Sequence, residues 1–166
     1  WPLNYGPIQS LARVFLPGLT FLGQGREVVP LVLDDDIKVG PAICIEVIYP
    51  SLFREMTANG ADFLVDLSNM SWVGYGNTLG GVIPLLRSRA VENGRSLAMV
   101  GYTGPSIAFD SYGIQVGDSF DSDEDGFLQW KIPITREKTL YAIIGDYSLF
   151  LFVIAAMIGK RLLASW

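Results

Sequence analysis

The sequence predicts an α/β layered fold that ends in a long apolar helix. Three observations carry this expectation. Short apolar runs of strand length alternate with segments of helical spacing between Val28 and Gly101, and such alternation implies sheets covered by helices. A run of further short strands follows. Finally, Tyr147 to Gly159 carries no charge and is dominated by Leu, Phe, Ile, Ala and Val.

Trp1 to Gly25 is rich in Gly and Pro and has no clear period. It reads as an irregular connecting segment with a short helix at Ile8–Phe15. Val28–Leu33 is an apolar run closed by Asp34-Asp35-Asp36, hence a strand and a turn. Ile37–Val47 holds only Lys38 and Glu46 as charges, which suits a strand covered on both faces. Pro50 opens a helix, because its missing N–H costs little in a first turn. Leu52, Phe53 and Met56 give that helix an apolar face, and Asn59-Gly60 stops it. Phe63–Leu67 is another buried strand. Leu79–Asn93 has helical spacing at Val82, Ile83, Leu86 and Ala90, with Pro84 placing the start of its regular part. Ala98–Gly101 and Ser106–Phe109 read as strands. Asp110-Ser111-Tyr112-Gly113 is a turn into a strand at Ile114–Val116, and Phe127–Ile132 is the last strand.

The composition excludes whole classes of chemistry. The 166 residues suffice for one domain with a sizeable core. Half are hydrophobic, and the mean hydropathy is positive, which hints at a membrane element. The net charge of −5 leaves no basic stripe to neutralise phosphates, so a nucleic-acid partner is not expected. There is one Cys and no His. No zinc site built on imidazole or on thiolates alone fits that inventory. Neither Ser-His-Asp nor Cys-His catalysis is available within these residues. The N-terminus has neither an initiator Met nor the charged start and apolar run of a signal peptide. We read it as cut from something longer.

As a helix, Tyr147–Gly159 spans about 20 Å, short of a hydrocarbon core of roughly 30 Å. Leu162, Leu163, Ala164 and Trp166 prolong the apolar character, Lys160 and Arg161 can snorkel, and no polar face is present. The expectation is a transmembrane helix over residues 147–166. The basic pair would put its C-terminal end in the cytoplasm and the preceding domain outside.

Cys44 comes late in an apolar strand, just before the turn into the Pro50 helix. Functional groups of α/β folds gather at the carboxyl ends of strands. A thiol there can meet a substrate, and amides of the turn can stabilise an oxyanion. A free Cys is also among the most buried residue types and usually only packs, and spacing alone favours packing.

Further residues break that balance. Gly40-Pro41-Ala42-Ile43-Cys44-Ile45-Glu46-Val47-Ile48-Tyr49-Pro50, with Arg54, Gly60-Ala61-Asp62 and Ser68-Asn69, resembles the nucleophile segment of the nitrilase (carbon–nitrogen hydrolase) superfamily. Ser68-Asn69-Met70-Ser71-Trp72-Val73-Gly74, the Arg87–Arg95 stretch, Gly101-Tyr102-Thr103-Gly104 with Asp110 and Gly113, and Thr139-Leu140-Tyr141 with Gly145-Asp146 before the apolar helix narrow it. Together they resemble the apolipoprotein N-acyltransferases of that superfamily, over nearly the whole chain. The sequence departs from the family pattern at Ile45, where Tyr is usual, and at Pro2 to Pro7, which contains no Glu.

The resemblance implies an αββα sandwich, here its C-terminal part over residues 1–146. It implies a Glu-Lys-Cys triad in which Cys44 is the nucleophile. The Glu and Lys lie upstream of the matched region, so this stretch alone is expected to be inactive. It further implies transfer of an acyl chain from a phospholipid donor, through a Cys thioester, to the N-terminal diacylglyceryl-cysteine of a lipoprotein acceptor. No cofactor is called for. The implied place is the bacterial inner membrane, with the catalytic domain on the periplasmic side. Glu46 matches a Glu that orients the site; a capping or Arg54-paired Glu is the equal alternative. Asn69 and Trp72 are candidates for substrate binding; Trp72 could cover the acyl pocket or simply fill the core, and core filling is the simpler reading. Arg87, Arg89 and Glu92 read as structural, the last two lying three apart on one helix. A nitrilase-type amidase acting on small amides and a non-catalytic membrane-anchored module are the competing readings. The sequence upstream of Trp1 separates them.

Overall fold

The computed structural model describes residues 25–34, 36–71, 78–121 and 126–164. The helix expected at Ile8–Phe15 and the candidate Trp72 lie outside them. In chain order come β1 (Leu31–Asp34), β2 (Ile37–Ile43), a 3-10 turn (Cys44–Ile48), α1 (Pro50–Ala58), β3 (Phe63–Ser68), α2 (Thr78–Asn93), β4 (Leu97–Gly101), β5 (Ile107–Phe109), α3 (Leu140–Ile144) and α4 (Tyr147–Ala164).

The strands form one sheet in the order β1-β2-β3-β4-β5. Its centre is parallel, β2 to β3 to β4, and antiparallel strands close both sides. Each parallel step needs a crossover, which α1 and α2 supply. These two helices pack on each other and so cover the same face. Between them and the sheet lies the core: Ala42, Leu64, Leu97, Met99 and Phe109 from strands, Phe53 and Met56 from α1, and Val82, Leu86 and Ala90 from α2. At Gly40 the layers come closest. A Cβ there would stand 2.8 Å from the Leu64 Cδ2 and 3.1 Å from Met56.

Several expectations need correction. The strand from Ile37 stops at Ile43 instead of Val47, because the backbone reverses hand at Cys44. Its face away from the helices is buried at Val39 but opens toward the carboxyl end. Ile43 is 64 % and Leu67 50 % exposed on the side away from the helices. The described residues therefore present one helix layer on one sheet. Helix α2 runs unbroken through Pro84, which lies on its exposed side, where water can satisfy the carbonyl that loses its donor.

The strands expected at Ile114–Val116 and Phe127–Ile132 do not form as such. Gln115 makes one isolated bridge to Phe109, and residues 127–132 join no ladder. The returning chain is held by side chains instead. Ser96 Oγ donates to the Pro133 carbonyl at 2.6 Å, and Arg95 donates to the carbonyls of Ala61 at 2.8 Å and Glu137 at 2.6 Å. Arg136 pairs with the buried Asp62 at 2.7 Å. Thr139 then caps α3 by accepting from the Ala142 amide at 3.0 Å while its hydroxyl donates to the Glu92 carbonyl. Arg89 and Glu92 form the expected i,i+3 ion pair at 3.0 Å.

The transmembrane helix expected over residues 147–166 is not supported. Helix α4 has 18 residues, about 27 Å at 1.5 Å per residue, and Lys160 and Arg161 interrupt its apolar run. Among the described residues no helix is long and apolar enough to cross a membrane.

Candidate active site

Parallel strands end side by side. Ile43 pairs with Leu67, and Ser68 with Gly101, so β2, β3 and β4 share one carboxyl rim. Cys44, Asn69 and Tyr102 are the residues that leave it.

Cys44 has φ +55°, the only positive φ of a non-glycine residue among those described. That conformation costs roughly 1–2 kcal/mol for an L-residue and collects at functional sites. It turns the chain sharply from β2 into the 3-10 turn, the strand–turn geometry that presents a nucleophile at the top of a sheet. The thiol is half-buried and therefore open to approach. Its S–H points to the Asn69 carbonyl, with 3.9 Å between sulfur and oxygen.

The Glu46 carboxylate holds the turn closed by accepting the Ile43 amide at 2.8 Å. This bond is local backbone capping, and no ion pair between Glu46 and Arg54 forms among the described residues. That arginine reaches the Ala142 carbonyl at 3.5 Å.

The loops after β3 and β4 are fastened to each other. Asn69 Oδ1 accepts from the Thr103 hydroxyl at 2.8 Å and from the Ser71 amide at 3.0 Å. Met70 donates to the Thr103 carbonyl at 2.9 Å, and Tyr102 to that of Ser68 at 2.8 Å. Gly104 adopts φ +112°, and Met70 packs so near that a Cβ would stand 2.8 Å from its Cγ. The Asn69 side chain thus braces the loop while its carbonyl faces the thiol.

Beneath this rim lies Asp66, one of two residues that sequence reasoning missed. It is fully buried on β3, between Ala42 of β2 and Met99 of β4. Its Oδ2 accepts from the Ser68 hydroxyl at 2.7 Å. Burial pushes the carboxyl up to about 6; the Ser68 bond opposes this, nearby Glu46 adds to it, and the Cys44 amide opposes it slightly. An acid within Phe63–Ser68, an otherwise apolar strand, was the available signal. The role of Thr103 was missed too: it stood only within the Gly101-Tyr102-Thr103-Gly104 match, and only the fold brings it to Asn69.

Cys44, Glu46 and Asn69 are therefore brought together at one rim. Among the described residues neither Glu46 nor Asp66 forms an ion pair; the pairs present are Arg89–Glu92 and Arg136–Asp62. A thiol at this rim can add to a carbonyl, and a donor or cation facing it can stabilise the developing oxyanion.

Residues 1–142 match the carbon-nitrogen hydrolase family. Among curated proteins, the apolipoprotein N-acyltransferase of Shewanella oneidensis is 28% identical over 152 residues, covering 89% of this chain and 29% of that protein. That of Haemophilus influenzae is 29% identical over 153 residues, with the same coverage of 89% and 29%. The chain thus spans 29% of the length of these relatives. Among solved structures, a carbon-nitrogen hydrolase from Helicobacter pylori G27 superposes with a TM-score of 0.55 at 17% identity, over 63% of this chain and 43% of that one. An amidase from Nesterenkonia sp. superposes with a TM-score of 0.50 at 24% identity, over 62% and 40%. Both likenesses show a shared fold.

Proposed function

This chain belongs to the carbon-nitrogen hydrolase family, and from that premise we propose that it is the nucleophile-bearing part of an N-acyltransferase. In the intact protein Cys44 takes an acyl chain from a phospholipid and passes it to the α-amine of a diacylglyceryl-cysteine lipoprotein. The observation that carries this reading is the placement of Cys44: half-buried, on a left-handed turn, at a rim shared by three loops. The curated relatives, both apolipoprotein N-acyltransferases, supply the substrate class.

The reaction has two balanced steps. The Cys44 thiolate adds to the ester carbonyl of the donor, a thioester forms, and the lysophospholipid leaves with the proton held by a general base. The acceptor amine then adds to the thioester, the amide forms, and the thiolate leaves while the amine proton returns to the base. A carboxylate serves as that base and a lysine ammonium stabilises both tetrahedral oxyanions; both groups belong to the upstream part of the protein. Glu46 keeps the turn in shape through the Ile43 amide. Asn69 directs its carbonyl at the thiol, and Trp72 is our candidate for binding the acyl chain. The exposed apolar face at Ile43, Leu67 and Val100 supports burial of the sheet against a second αβ layer, as an αββα sandwich requires. The site operates at the outer face of the bacterial cell membrane, where donor and acceptor both reside, and the exposed apolar length of α4 supports a position beside lipid.

The test is direct. In the intact protein, Cys44→Ala and Cys44→Ser lower acyl transfer by at least about a thousandfold. Wild-type protein given phospholipid accumulates an adduct on Cys44 that hydroxylamine removes. Retained transfer in Cys44→Ala, or a donor-treated protein without the adduct, overturns the reading.

A further inference from the structure

We propose that the cavity at the amino end of β2 and β3 is a binding site for a dianionic phosphate group, held by Lys38, Arg95, Arg136 and Lys138. It stands apart from Cys44. Lys38 is the second residue of β2 and Cys44 follows its last, so a length of strand of roughly 20 Å separates the two. The proposal does not depend on the reading of Cys44 as a nucleophile.

The cavity has a volume of about 440 Å³, and its walls come from the start of β2, the end of α1, the turns into β3 and β4, and the returning chain. Four cations meet two carboxylates there, Asp36 and Asp62, which leaves an excess of two positive charges in a chain whose net charge is −5. Both oxygens of Asp62 are already taken, Oδ1 by Arg136 at 2.7 Å and Oδ2 by the Lys38 amide at 2.9 Å. Among the described residues neither the Lys38 nor the Lys138 ammonium has an ion-pair partner.

Arg95 is the fixed part of the site. It is 4 % exposed. Its Nε donates to the Ala61 carbonyl at 2.8 Å, and its Nη1 to the carbonyls of Gly94 at 2.9 Å and Glu137 at 2.6 Å. Its Nη2 makes no hydrogen bond among the described residues. A guanidinium locked by three carbonyls with one nitrogen unspent is a preorganised donor. Burial holds Arg95 below its ordinary pKa, Asp62 opposes this, and the neighbouring Arg136 lowers it further. Two guanidinium groups crowded at one wall repel, and a dianion beside them relieves the repulsion. Thr57 lines the same cavity, and its buried hydroxyl has no partner among the described residues. Phosphate suits such a set. Its charge matches the excess, and its tetrahedral oxygens accept from forked guanidinium and compact ammonium donors at once. The same group occurs free in water and on lipid headgroups.

The experiment is calorimetric titration of the intact protein at about pH 8, where phosphate is dianionic, and at low ionic strength. The probes are inorganic phosphate, dioctanoyl phosphatidic acid and acetate. Inorganic phosphate binds with a Kd below about 1 mM, and acetate, with half the charge, at least about tenfold more weakly. Phosphatidic acid equal to phosphate identifies a water-borne ligand; phosphatidic acid at least about tenfold tighter identifies a lipid headgroup. Lys38→Gln and Lys138→Gln each weaken phosphate about tenfold, whereas Lys131→Gln, an exposed lysine outside the cavity, leaves it unchanged. In the wild type, phosphate shields Lys38 and Lys138, but not Lys131, from acetic anhydride, read peptide by peptide by mass spectrometry. No phosphate binding, equal affinity for acetate, or a loss in Lys131→Gln as large as in the cavity variants overturns the proposal. Should the lysine variants not fold, the shielding decides alone: Lys38 and Lys138 acetylated as fast with phosphate as without it overturn it.

Discussion

Burial lifts the Asp66 carboxyl from 3.8 to about 6, and this has a consequence for stability. Between these two values the folded protein holds a proton that the unfolded chain has released. Stability therefore falls as pH rises through that window and stays reduced above it. Asp66→Asn removes the ionisation. Its melting temperature should equal that of wild type below about pH 4, rise above it through pH 6, and keep a constant advantage at pH 7–8. A ceiling of about 3 kcal/mol follows from two pKa units. Thermal unfolding across pH checks this; an advantage independent of pH would mean that packing, not charge, is at stake. Asp62 shows the opposite solution. Burial raises its carboxyl too, but the Arg136 guanidinium, the Lys38 amide and Arg95 more than compensate and hold it below the ordinary value. One buried acid is neutralised by cations, and the other has no ion-pair partner among the described residues.

At the scale of elements, two glycines separate packing from propensity. At Gly40 of β2 an added methyl meets Leu64 and Met56 of the core, so Gly40→Val should destabilise by about 2 kcal/mol through overpacking. At Gly81 of α2 nothing lies within 4 Å, so Gly81→Ala should stabilise by roughly 1 kcal/mol. Chemical denaturation of the two variants tests the pair; equal signs would refute the layer contact described at Gly40. Elements with a strong period were legible in the sequence. The core faces of α1 and α2 follow from Phe53 and Met56 and from Val82, Leu86 and Ala90, and all of these are buried. The end of β2 was not legible. Ile45 and Val47 continue the apolar run, while the event that ends the strand is a backbone torsion at Cys44 that no composition rule shows. Residues 127–132 look like a strand, but their backbone finds no ladder. Trp130 donates its Nε1–H to the Asp118 carbonyl at 2.8 Å, and Phe127 is exposed. In the site, Cys44, Glu46 and Asn69 were named through resemblance to a family, and the fold brings these three to one rim. Asp66 and Thr103 act through contacts between strands that only the register creates.

The whole molecule is notable for where its apolar surface lies. One sheet face is packed, whereas Ile43, Leu67 and Val100 on the other remain open. Helix α4 carries Tyr147, Phe150, Leu151, Phe152, Val153, Ile154, Met157 and Ile158 outward, and its main contact is with the short α3. Such continuous apolar area exceeds what a soluble monomer normally shows. Ending the chain at Gly145 should therefore increase the fraction recovered without detergent, measured by sedimentation. An unchanged detergent requirement would assign the stickiness to the sheet face instead.

Strand β1 forms one margin of that sheet and offers Leu31, Val32 and Leu33 in succession to the surroundings, each more than half exposed. Among the described residues its outer edge has no neighbouring strand, which makes it a template on which an extended polypeptide can continue the ladder, and neither a proline nor an inward charge interrupts the three residues. Before its proper neighbours fold around it, this chain is thus vulnerable to runaway strand addition. Its fate during synthesis depends on how quickly that margin is capped.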